Sequence, residues 1–182
     1  MRSWIRFRGS RPDHEVNVVL ARGTDLDALT AGLRTARREP LETGESAGWV
    51  WAVHDRLVAP DYDEMDYRPL CPPGAELVVF VTEPCSAKAH APWFDYYRDG
   101  NLVLGFSFED LGQRIGADPD YLSPELLDAG LIGSGATCPA EADHDCWDHH
   151  YDDEERLVRT LAAYFGFPTP PLSPEVVAVT AR

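Results

Sequence analysis

The segment CPAEADHDCWDHHYDDEE, Cys138 to Glu155, gathers most of the side chains in this 182-residue chain that could do chemistry. Cys138, His144, Cys146, His149 and His150 are soft or borderline donors of the kind zinc takes, and the first four are spaced C-x5-H-x-C-x2-H. Asp143, Asp145 and Asp148 offer oxygen to a harder cation instead. From Glu141 to Glu155 there are eight carboxylates, three histidines, one cysteine and no Lys or Arg. The spacing matches no zinc module, so a metal would need a convergence in space that spacing alone does not supply. In such a field His149 and His150 are expected to hold their protons more tightly than usual, which would make the loop pH-sensitive. The plainer alternative is a solvated acidic loop running into Asp152, Asp153, Glu154 and Glu155, the acidic first turn of a helix. Trp147 stands among these acids with no apolar run around it, the setting of an aromatic anchor for a basic partner. Folding back to pin the loop is the other use for it.

A second constellation is His54-Asp55, followed by Asp61, Asp63, Glu64 and Asp66. A histidine at a strand end beside carboxylates has the makings of a general base, and equally of a satisfied strand terminus. His90, near Trp93, is a weaker version of the same pattern. Gly133-Ser134-Gly135 lacks the Lys-Ser/Thr of a phosphate loop, and no strand precedes it as a nucleophile elbow requires. Cys85-Ser86 has no base nearby in sequence, and no dinucleotide fingerprint occurs. No residue is therefore assigned a catalytic role.

The charge balance points the same way. Sixteen Lys and Arg stand against 31 Asp and Glu, a net charge of −15. Residues 1 to 38 carry +4, leaving −19 on the remainder. A field of that sign repels phosphate backbones and disfavours nucleic acid as a partner, while it favours a basic protein, a cationic ligand or a metal. Solubility alone is the bland alternative. The longest purely aliphatic and aromatic run, Leu77 to Val81, is five residues, far short of a bilayer span. The opening MRSWIRFRGSRPD lacks the apolar core of a signal peptide, so a cytoplasmic location with no membrane association is expected. In that compartment Cys71, Cys85, Cys138 and Cys146 would be reduced thiols. Cys71 and Cys85 flank an expected strand, Glu76 to Thr82, about 23 Å long. A disulfide needs Cα atoms within about 7 Å, so these two do not pair.

The elements that must position these groups read as follows. Glu15 to Ala21 alternates as a strand and Arg22-Gly23 ends it. Thr24 is the expected N-cap of an amphipathic helix over Asp25 to Arg38, with Leu26, Leu29 and Leu33 on one stripe and Pro40 and Gly44 closing the segment. Gly48 to Asp55 has apolar residues on both faces, a strand covered on both sides, and Leu77 to Val81 has the same character. WFDYYR-DG-NLVLGF, Trp93 to Phe106, is a hairpin about Asp99-Gly100. Its register would set Tyr97 against Leu102, Tyr96 against Val103 and Asp95 against Leu104. The aromatics Trp49, Trp51, Trp93, Phe94, Tyr96 and Tyr97 could line a ligand pocket, but their period of two on strands favours core. Glu109 to Asp118 is short helix or loop, and Ser123-Pro124 opens a helix reaching Leu131. Ile132 to Pro139 is loop, and Asp152 to Phe165 is a long helix capped by Gly166.

In order, the strand ending in Arg22-Gly23, the Leu-rich helix, the Trp strand Gly48 to Val53 and the LVVF strand lead into the aromatic hairpin. Phe106-Ser107-Phe108-Glu109, the Asp118-Pro119 turn and the acidic run into the last helix follow. This succession resembles an actinobacterial domain family of unknown function, over roughly residues 15 to 180. The resemblance implies a single cytosolic α+β domain, and it brings no activity and no functional residues with it.

Strands that cluster instead of alternating with helices define α+β, with a mostly antiparallel sheet of about five to six strands packed with about three helices. One domain covers 1–182, with residues 1–12 as a loose arm. The functional expectation is a non-catalytic acidic binding module, of the immunity or antitoxin type, for a basic protein. Trp147, Asp143, Asp145, Asp148, Asp152 and Asp153 would meet the partner. It needs no cofactor. The alternative is a zinc-binding protein or metal-dependent enzyme built on Cys138, His144, Cys146, His149 and His150. Oligomeric state lies beyond the sequence.

Overall fold

Alternation in seven short segments builds one antiparallel sheet. The computed structural model describes residues 16–55, 65–81, 93–108, 110–134 and 146–167, and at 16, 55, 146–152 and 154 it describes the backbone alone. The strands are β1 (Val16–Arg22), β2 (Pro40–Ser46), β3 (Trp49–Asp55), β4 (Glu76–Val81), β5 (Trp93–Arg98), β6 (Asn101–Ser107) and β7 (Asp110–Ile115). Their spatial order is β2-β3-β1-β4-β5-β6-β7, and every neighbouring pair is antiparallel. The helices are α1 (Leu26–Thr35), α2 (Ser123–Asp128) and α3 (Cys146–Phe165). The fold is α+β, with one strand more than the upper expectation. The arm at 1–12 lies outside the described residues.

Both faces of the sheet are covered, as the two-sided apolar pattern of β3 and β4 requires. On one face Val18, Leu20, Trp49, Phe80, Phe94 and Tyr96 pack against Leu126 of α2 and Leu157, Leu161 and Phe165 of α3. On the other, Val19, Ala21, Ala52, Leu77 and Val79 pack against Leu29 and Leu33 of α1 and against Tyr67, Leu70 and Cys71. Of the aromatics read as core, Trp49, Phe94, Tyr96 and Tyr97 are buried, while Trp51 and Trp93 are half-buried.

Local chemistry explains where the elements depart from the expectations. Asp25, in place of Thr24, caps α1: its Oδ1 accepts from Ala28 N at 2.7 Å. The helix stops at Thr35, short of Arg38, because Arg37 turns to φ +59° and Arg38 N then bonds Leu33 O. Pro40 and Gly44, read as closing that segment, belong instead to β2, a polar edge strand paired to β3 through the two-residue turn Ala47-Gly48. Gly44 is required there, since a Cβ would meet the Trp51 ring at 2.5 Å. The Asp99-Gly100 turn forms as expected, with φ of +52° and +74°. One extra residue, Val103, bulges from β6, so Tyr97 faces Leu102 but Tyr96 faces Leu104 and Asp95 faces Gly105. Glu109 to Asp118 is neither short helix nor loop where it is described, but contains the edge strand β7. Leu122 caps α2, since Ser123 Oγ donates to Asp120 and Pro124 occupies the second helical position; the helix ends at Asp128, three residues before Leu131.

Candidate functional site

The acidic segment divides between helix and residues outside the described set. Cys138, Asp143 and His144, with Asp145, lie outside the described residues. Helix α3 begins at Cys146, six residues before the expected Asp152, so positions 146–151 are helical and not loop. Cys146, Trp147, Asp148, His149, His150 and Asp152 therefore lie on its first turns, where only the backbone is described. At 100° per residue, position 147 falls in register with Val158, Leu161 and Phe165, the buried stripe of the helix. Positions 148, 149 and 152 fall nearer the register of the exposed Arg156, Arg159 and Ala163. Asp153 pairs with Arg156 at 3.4 Å and Glu155 with Arg159 at 3.0 Å. Such exposed helical pairs contribute about 0.3–0.5 kcal/mol each. Among the described residues no group of three His, Cys, Asp or Glu could hold a metal, so the zinc alternative gains no support from them.

The His54 constellation is a buried polar chain. His54 is 0 % exposed, and Asn17 and Tyr67 are 4 % exposed each. Antiparallel register sets Asn17 of β1 beside His54 of β3, and Tyr67 descends on both from the connector ahead of Arg68. Asn17 Nδ2 donates to the Tyr67 hydroxyl at 2.7 Å, and that hydroxyl lies 3.1 Å from His54 Nε2. The Tyr67 hydroxyl thus links Asn17 and His54 in one buried chain of hydrogen bonds. Asn17 Oδ1 is buried without a partner. Asp66 does not join His54: its carboxylate forks onto Arg68 at 2.8 Å, and that pairing holds its pKa below the usual carboxylate value. The side chain of Asp55, and Asp61, Asp63, Glu64, Cys85, Ser86 and His90 entirely, lie outside the described residues. A histidine so enclosed does not present a base to solvent; it ties Tyr67 to the sheet.

Nearby, Asp95 Oδ1 accepts from the Trp93 indole at 2.8 Å, and Gly105 opposite leaves room for that carboxylate. Burial, and then the Asp95 carboxylate, hold the Tyr97 hydroxyl above its ordinary range, so it stays protonated.

A third feature carries no sequence motif. Between α2 and α3 runs a groove of about 470 Å³ lined by Glu125, Asp128, Ala129, Thr160, Ala163 and Tyr164. Glu125 Oε2 is buried there with no hydrogen-bond partner. The i, i+3 spacing of Glu125 and Asp128 on a helix opened by Pro124 was the signal available in the sequence, and it is common enough to pass unnoticed. No family model, no curated protein and no solved structure matches the chain.

Proposed function

We propose that this protein is a non-catalytic acidic binding module that engages a basic protein, in the manner of an immunity or antitoxin inhibitor. The observation that carries the reading is the charge: −15 overall, with eight carboxylates and no Lys or Arg from Glu141 to Glu155. A continuous helix from Cys146 supports it, because it sets Asp148 and Asp152 in one register on a rigid element. An acidic surface of this kind steers a cationic partner into encounter, and its effect is largest on the association rate. Asp143, Asp145 and Asp153 are the remaining proposed contacts; position 147 shares the register of the buried stripe of α3, which suits Trp147 to pinning the helix more than to anchoring the partner. Cys71 is a free, buried cysteine, which suits a cytoplasmic setting. No described helix is long and apolar enough to cross a membrane.

The test is kinetic. The partner is captured from the native cell on immobilised protein and identified, and its association rate is followed by stopped flow against ionic strength. The rate should fall at least about tenfold between low and high salt, because exposed charges are screened beyond about 10 Å at 0.1 M. Asp148→Lys with Asp152→Lys should lower the low-salt rate further. An association rate indifferent to salt and to this charge reversal overturns the reading.

A further inference from the structure

We propose that the groove between α2 and α3 receives an arginine side chain of the basic partner. This deepens the reading above and rests on it for the nature of the partner. The groove offers what a guanidinium needs on each side. Glu125 and Asp128, on one edge of α2, both line the space, and neither carboxylate is ion-paired among the described residues. Glu125 Oε2 is withdrawn from solvent and accepts nothing, an arrangement that disfavours the free protein and is relieved by a donor arriving from outside. Across the groove Tyr164 is 40 % exposed and presents an aromatic ring, on which the planar, weakly hydrated head of arginine stacks better than an ammonium does. Ala129 and Ala163 supply the small apolar floor along which the methylene stem would lie.

Among the described residues, the neighbouring cations are engaged elsewhere. Arg98, which senses the Tyr164 hydroxyl, is taken by Tyr96, Tyr121 and Glu76. Arg159 pairs with Glu155 and Arg156 with Asp153. Thr160, the remaining lining residue, spends its hydroxyl on Arg156 O one turn back. Burial first, then the Tyr121 hydroxyl and last Glu125, raise the Tyr164 hydroxyl to about 12, so the ring holds no competing negative charge at neutral pH.

The probe is the blocked tripeptide acetyl-Gly-Arg-Gly-amide, with its uncharged citrulline counterpart, titrated into the full chain and followed by amide NMR shifts. Saturable shifts at residues 125–129 and 160–164 are expected with arginine and not with citrulline. Glu125→Gln should weaken the apparent Kd at least fivefold. Ala163→Trp, at an exposed helix position, fills the groove without altering charge and should weaken it as much; a melting curve checks that each variant is folded. Shifts confined to the first turns of α3, unchanged by Ala163→Trp, overturn the groove and leave the acidic-module reading standing. Absence of any saturable shift overturns the groove also, while the broader reading then falls or stands on the salt dependence of the captured partner.

Discussion

The Trp49 indole N–H donates to the carbonyl of Phe165, 3.2 Å away and 116 residues along the chain. The bond joins the start of β3 to the last residue of α3, where a helix leaves carbonyls without internal partners. The Trp49 ring also meets Phe165 and Phe167 edge-on, at 6.4 and 5.0 Å. Trp49→Phe keeps part of the packing and removes the donor, which should cost about 1–2 kcal/mol. Trp49→Ala also opens a cavity and should cost about 3–5 kcal/mol. Urea unfolding reads both; a Trp49→Phe variant as stable as the parent would show that the hydrogen bond contributes nothing separable.

Tyr67→Phe should destabilise the fold by about 2–4 kcal/mol, because it strips a partner from two buried groups, Asn17 Nδ2 and His54 Nε2. In a double-mutant cycle, Asn17→Ala on top of Tyr67→Phe should cost clearly less than the two single losses summed, since both act on one chain of bonds. Strict additivity would mean that the chain does not act as a unit.

Ala47→Asn should stabilise the protein. Ala47 sits at φ +53° in the two-residue turn between β2 and β3, a conformation that an alanine adopts at a cost and asparagine tolerates. A gain of about 0.5–1 kcal/mol is expected from the relief. An unchanged or lowered urea midpoint would contradict it.

Stability should fall on the alkaline side. Burial leads in raising the Tyr96, Tyr97 and Tyr164 hydroxyls, that of Tyr164 to about 12. The unfolded chain releases these protons near pH 10, so above that pH the folded state binds more protons than the unfolded one, and stability declines with rising pH. The decline should begin near pH 10 and continue through 12. Tyr97→Phe should flatten part of the slope in pH-dependent unfolding, and a slope unchanged by it would assign the decline to other groups.

Legibility in the sequence followed from how many neighbours decide each residue's place. Trp49, Trp51 and Val53 alternate with Val50 and Ala52, and such a strand needs no partner to be recognised. Asp99-Gly100 declares its turn equally plainly. By contrast β2 carries Glu42, Thr43, Glu45 and Ser46, because an edge strand buries little and its pairing is fixed by β3 and by a turn opened with an unusual Ala47. The bulge at Val103 moves Asp95 from Leu104 to Gly105, a one-residue matter that alternation does not reveal. At the candidate site, His54 was visible and its partner was not: Tyr67 lies thirteen positions further along the chain, and Asn17 on another strand. The early start of α3 was hidden because CWDHHY is weakly helical by composition and is carried by the packing of Leu157 and Leu161 further on.

The first of the described strands to be made lies inside the sheet, with β3 on one side and β4 on the other. During synthesis it therefore waits: its first neighbour is complete only at Asp55, its second at Val81, and the helix that seals one face ends at Phe165. Pairing across such distances is slow, and until it is done the run Val18-Val19-Leu20-Ala21 leaves the ribosome bare. Chaperone demand should accordingly peak early in translation, before the acidic half of the chain has emerged to keep the nascent product dispersed.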